Sequence, residues 1–158
     1  MSYTIADEPH ETSLGAYVVN PSAPLLASMM CGAWMTWPWF AFNAIAMGSP
    51  TKKKELTLCA IALGGTVLLG WLALALVDAG WIPLGTPFKL AMLGISTWKL
   101  ALAYYISTVQ SRTFHVYEYY GGTVRAAGAI IGTGFWIKGI VFALSDDPLW
   151  IIIVSGGL

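Results

Sequence analysis

The chain has 158 residues, 57% of them hydrophobic and only 10% charged, with eight Lys/Arg balancing eight Asp/Glu. A soluble domain usually carries about 25% charged residues, so the composition argues against a water-soluble globule. Zero net charge excludes a field that would recruit nucleic acid, and the length suits one compact unit rather than two domains.

The uncharged stretches indicate the class. No Asp, Glu, Lys or Arg occurs from Thr12 to Thr51, nor from Thr57 to Val77. A membrane helix needs roughly 20 apolar residues to cross a hydrocarbon core about 30 Å thick. A soluble helix of that length keeps a polar face, and these segments lack one. The expected fold is all-α: an integral membrane bundle of about four transmembrane helices plus a short C-terminal interfacial segment. It divides into a polar tail (1–24), a four-helix transmembrane domain (25–145) and a short apolar end (146–158).

In chain order, the tail lacks the basic and apolar regions of a signal peptide. It ends in Asn20-Pro21-Ser22-Ala23-Pro24, whose prolines discourage a helix. The first span is expected over 25–47, with Gly48-Ser49-Pro50 as its stop. Pro38 should kink it, leaving a free carbonyl near Trp34, with Trp34, Trp37 and Trp39 packed around the kink. The second span is expected over 57–77, ending at Asp78-Ala79-Gly80. The third runs over 88–110. An aromatic loop, Arg112 to Gly122, follows as an interface belt, with Gly121-Gly122 as its turn. The fourth span covers 124–144. Asp146-Asp147-Pro148 then opens a segment too short to span, which is expected at the membrane interface.

Lys and Arg in short loops orient a membrane protein. Lys52, Lys53, Lys54, Arg112 and Arg125 fall in two loops that an even helix count puts on one side, against Lys89 alone on the other. The basic loops are therefore expected in the cytoplasm and both termini outside.

Lys99 is the most informative residue. It stands near the middle of the third span, where a charge costs roughly 2.5–3.5 kcal/mol on insertion scales. Ser96, Lys99, Ala103, Ser107 and Gln110 recur at three- and four-residue spacing and so share one helix face, which reads as the buried side. Lys99 either binds an anionic group or lines a polar path, or it donates to carbonyls and hydroxyls between helices. Asn43 is expected to hydrogen-bond across helices, and Lys138 to snorkel outward, toward Asp146 or Asp78. Three pairs of small residues mark possible close helix approach: Ser28 with Gly32, Ala60 with Gly64, and Gly128 with Gly132. Cys31 and Cys59 read as small buried hydrophobes. His10 and His115 fall on opposite sides of the expected membrane and cannot share a haem or zinc. Neither a nucleophile elbow nor a P-loop is present, so neither cofactor nor catalysis is expected.

Phe42-Asn43, Gly48, Gln110, His115 and Gly121-Gly122 together resemble a loose group of small bacterial four-helix membrane proteins with no established function. The resemblance covers most of residues 24–145. It implies a bacterial cytoplasmic (inner) membrane and that Asn43, Gln110 and His115 act together; Thr123 stands where the group has a serine. The expected role is a non-enzymatic accessory, scaffold or immunity-type subunit, in contact with the lipid bilayer and associating with itself or with another membrane protein. The alternative is a small channel or transporter whose path is lined by Lys99, Asn43 and the Ser96–Gln110 face.

Overall fold

The computed structural model describes residues 12–156. Among them the chain is all-α, with six helices and no strands. After a single 3-10 turn at Gly15–Tyr17 come α1 (Ser22–Met30), α2 (Ala33–Ala46), α3 (Lys52–Asp78), α4 (Thr86–Tyr119), α5 (Gly128–Phe142) and α6 (Pro148–Val154).

Helices α3 and α4 form an antiparallel frame. With 27 and 34 residues they are about 40 and 51 Å long at 1.5 Å per residue. Among the described residues, α3 alone is long and apolar enough to cross a membrane by length and composition. Small residues set the approach of the pair: a Cβ at Gly65 would come within 2.6 Å of the Trp98 ring. Cys59 and Ala62 of α3 share a core with Ala103 and Ile106 of α4. Pro87 lies in the first turn of α4, where a missing N–H costs nothing. The helix runs on past the expected end at residue 110, because no Gly or Pro interrupts it before Gly121. Most of the expected aromatic loop is therefore helical. Gly121 ends it at φ 83°, and the Gly122 N–H returns to the Tyr117 carbonyl at 3.0 Å.

The expected first span is corrected. It is not one crossing helix but two short ones joined at Cys31-Gly32. Pro38 stays inside α2; the break falls instead at Gly32, with φ 111° and ψ 169°, a region essentially reserved for glycine. The two helices run antiparallel, as their contacts with α4 show. The Pro21 carbonyl, at the start of α1, accepts from Ser107; the Phe40 carbonyl, midway along α2, accepts from Gln110, and Met47, just past the end of α2, packs on Phe114. Both ends of the pair thus stand toward the same, Ser107-to-Phe114, part of α4. The tip reaches the level of Lys99, where the Ala33 N–H donates to the Ser155 carbonyl that Lys99 also holds. Eight residues of α4 separate Lys99 from Ser107, about 12 Å, which matches the nine residues of α1.

The hairpin also changes the expected sidedness. Residues 12–20 lie at the end of the bundle that carries Lys52–Lys54, Arg112 and Arg125, not opposite it. Val18 packs with Met47 and Phe114, Tyr117 donates to the Gly15 carbonyl, and the Arg125 N–H donates to the Val18 carbonyl. Residues 1–11, including His10, fall outside the described residues.

The last two helices also differ from expectation. Residues 120–127 are not helical apart from the close of the α4 turn, and α5 occupies 128–142 rather than 124–144. Segment 148–156 packs against the bundle through Ile152, Val154 and Gly156, with Pro148 and Ile151 exposed. Pro148 begins α6 beside Phe88 at the end carrying Lys89, and the helix climbs between α3 and α4. There Gly70 lets Ile152 and Leu149 approach to 3.0 Å of its Cβ position. Asp147 accepts from the Leu149 N–H and caps the helix start.

Candidate functional site

Two elements that stop halfway along the frame, one from each end, meet at its centre. The hairpin tip comes from the basic end and the carboxyl end of α6 from the other. The last carbonyls of any helix have no intrahelical partner, and helix carboxyl ends carry a partial negative charge. Both points select for cations, and the two lysines inside the apolar stretch of the fold lie there. Lys99, 3% exposed, donates to the Ile152 carbonyl, to the Ser155 carbonyl at 2.9 Å and to Ser155 Oγ at 3.1 Å. An ammonium has three donors, so these contacts account for all of them. Lys138 does not reach toward Asp146 or Asp78. It donates at 3.3 Å to the carbonyl of Met30, the last residue of α1.

Glycines let the junction close. Gly156 sits on the hairpin tip, and a Cβ there would lie 2.3 Å from the Ser28 carbonyl and 3.3 Å from Gly32 Cα. The Ser28–Gly32 pair therefore receives the segment after α6 rather than another helix. Ser28 Oγ and Thr36 Oγ1 bond back to the Leu25 and Gly32 carbonyls, and Trp34 Nε1 donates to the Cys31 carbonyl. Beside the junction, a cavity of about 380 Å³ opens between α4 and α6. Ser96, Lys99 and Ser155 form its polar end, and its walls are apolar, among them Met92, Ile95 and Ile151.

The rest of the expected polar face is engaged elsewhere. Asn43 Oδ1 accepts from the Val19 N–H, and its Nδ2 donates to the Val19 carbonyl at 3.1 Å and to Gln110 Oε1 at 3.3 Å. Gln110 and Ser107 hold the Phe40 and Pro21 carbonyls. These residues fasten the open end of the hairpin to α4 and do not line the cavity at Lys99. His115 is exposed on α4 and does not join Asn43 and Gln110.

Of the remaining small pairs, Ala60, Gly64, Gly128 and Gly132 face outward; a Cβ at Gly64, Gly128 or Gly132 would meet nothing within 4 Å. The glycines that serve internal packing are others: Gly65, Gly70 and Gly134, the last lying against Met35 and Cys31. Glu55 belongs to no motif in the sequence. It is fully buried in the first turn of α3, where its Oε1 accepts from Ser49 and Thr51 hydroxyls, each at 2.6 Å. Two hydroxyls just upstream of the helix were the available signal. Cys31 and Cys59 are buried free thiols in separate cores, and among the described residues no His/Cys/Asp/Glu group could hold a metal. Compared with known proteins, the chain matches no family model, no curated protein and no solved structure.

Proposed function

We propose that the chain is an integral membrane protein that works by helix packing, as a non-enzymatic subunit associating with copies of itself or with another membrane protein. In this reading α3, α4 and α5 span the hydrocarbon with residues 120–127 at headgroup level, while the α1/α2 hairpin and α6 enter from opposite faces and stop at mid-depth. Non-helical backbone is tolerated at that depth only inside protein or a wet cavity; Cys31, Gly32 and Gly156 are buried. Large apolar side chains face outward around the middle of the bundle, with Leu68, Trp71, Ile140 and Trp136 all more than half exposed. Five cations at one end against Lys89 at the other favour a cytoplasmic basic end, in the bacterial inner membrane that the resemblance implies. The N-terminal segment would then be cytoplasmic as well.

The observation that carries the packing role is the direction of the two small pairs. Ala60/Gly64 and Gly128/Gly132 open outward on helices otherwise clad in large apolar groups, while Lys99, Asn43, Ser107 and Gln110 are engaged inside the bundle. Such openings let a second helix approach closely. The test is association in bilayers, read by subunit-counting photobleaching at graded protein-to-lipid ratios. Gly64→Leu and Gly132→Leu, placed where a side chain meets only open space, should weaken association about tenfold, or about 1.4 kcal/mol. An unchanged distribution in the double variant sinks the role.

A second reading, a solute path, is favoured by the cavity that reaches Lys99 beside two half-length elements meeting at mid-depth, a layout found at transporter binding sites. Vesicles loaded with chloride should then leak faster with the protein than without it, and Lys99→Met should abolish the difference. No flux above empty vesicles removes this reading and leaves the first standing.

A further inference from the structure

A second groove, of about 540 Å³, runs down the outside of the bundle from its basic end. Its walls are Trp34, Met35, Pro38 and Phe42 of α2 and Ile130 of α5, and its upper end is Arg125 with Tyr17. From Phe42 to Trp34 the groove descends eight residues of α2, about 12 Å. It follows the axis of the bundle, opens sideways, and exists because 120–127 are not helical, so α5 does not cover α2 at this level.

Arg125 is fixed in place at the top. Its N–H donates to the Val18 carbonyl at 2.8 Å, its Nε to the Ala16 carbonyl at 2.9 Å, and its guanidinium carbon lies 5.1 Å from the centre of the Tyr17 ring. A guanidinium has five N–H donors in a planar fork. Only the Nε donor is engaged among the described residues, so the two terminal nitrogens remain as a pre-oriented pair. That pair fits two oxygens of a phosphate. An anchored cation at headgroup level, above an apolar channel parallel to the bundle axis, has the two-part chemistry of a phospholipid.

We propose that this groove is a binding site for one anionic phospholipid, its phosphate on Arg125 and the upper part of one acyl chain between α2 and α5. The inference rests on the bilayer placement proposed above. An anionic headgroup is favoured over a zwitterionic one because a choline or ethanolamine cation would share the site with the guanidinium.

Native mass spectrometry of the full chain, released from mild detergent after equilibration with equimolar phosphatidylglycerol and phosphatidylcholine, tests the site. One phosphatidylglycerol per chain should be retained in at least tenfold preference to phosphatidylcholine. Arg125→Gln should lose that preference. Ile130→Trp, which fills the channel and leaves the arginine in place, should lose the lipid itself, and Arg112→Gln, at the same end but outside the groove, should change neither. Inorganic phosphate at millimolar concentration should not displace the lipid; displacement would mark an anion site without a chain and overturn the proposal. Equal retention of the two lipids, or an unchanged preference in Arg125→Gln, overturns it too. Flotation with vesicles separates the two levels of the argument. A chain that floats yet selects no lipid removes this site alone, whereas a chain that does not float removes the membrane placement with it.

Discussion

Gly32→Ala should lower the thermal unfolding midpoint in detergent by about 10 °C, whereas Gly64→Ala should leave it within about 2 °C. Both replace a glycine by the same residue in an apolar segment, and only their surroundings differ. Gly32 holds φ 111° and ψ 169°, a conformation that costs a residue with a Cβ about 1–3 kcal/mol. The added methyl would also stand 2.4 Å from the Val154 carbonyl and 3.2 Å from Trp34 Cδ1. The first is a backbone atom and the second belongs to a ring held by its bond to the Cys31 carbonyl, so neither yields readily. A total near 3 kcal/mol in a chain of this size corresponds to roughly 6–12 °C, with each kcal/mol worth about 2–4 °C. Gly64 is helical and open, so alanine there meets nothing and gains helix propensity. Equal midpoints for the two variants would show that the hairpin tip tolerates a side chain, and the account of the break would fail.

The difference between those glycines also explains what the sequence disclosed. The all-α class was legible because long uncharged runs admit few alternatives; α3 contains its expected span of 57–77 but begins at Lys52, so the three lysines expected in a loop form its first turn. The hairpin was not legible. Residues 25–47 have the length and apolarity of one crossing helix, and nothing in the period separates one helix of 23 residues from two antiparallel helices. A glycine within such a stretch is commonly helical, as Gly64 and Gly70 are; what bars a side chain from Gly32 is the carbonyl of Val154, 122 positions later. Pro38 was the visible breaker, yet α2 passes through it.

The polar residues follow the same division. Asn43 across to α4 could be foreseen, because a lone amide in an apolar helix needs partners from another element. Which partners it takes could not, because Val19 lies in a segment with no helical pattern to place it. The five-residue stripe from Ser96 to Gln110 does share a face of α4, but that face serves two structures in turn. Its lower part meets the end of α6 and its upper part meets the hairpin. A periodic stripe identifies a buried face and leaves open whether one neighbour or several cover it.

Lys99→Met should release α6 while leaving the frame intact. Methionine keeps most of the stem's volume and flexibility, so the change isolates the ammonium. Three charge-assisted hydrogen bonds disappear, each worth about 1.5–3 kcal/mol, and removal of a charge from mid-depth returns roughly 2.5–3.5 kcal/mol. The balance favours loss by a few kcal/mol. It is moderated because Ile152 O keeps the Ser155 hydroxyl as a donor at 3.1 Å and Ser155 O keeps the Ala33 N–H at 3.3 Å. Since Lys99 touches only the carboxyl end of α6 through these bonds, the loss should be local. Hydrogen–deuterium exchange of amides 151–155 should accelerate at least tenfold, with those of α3 between Ala62 and Ala73 unchanged. Acceleration throughout the chain would mean that the lysine supports the frame instead. Unchanged exchange in α6 would mean that packing on Gly70 and Gly32 holds the segment without it, and the carbonyl-capping role assigned to Lys99 would be lost.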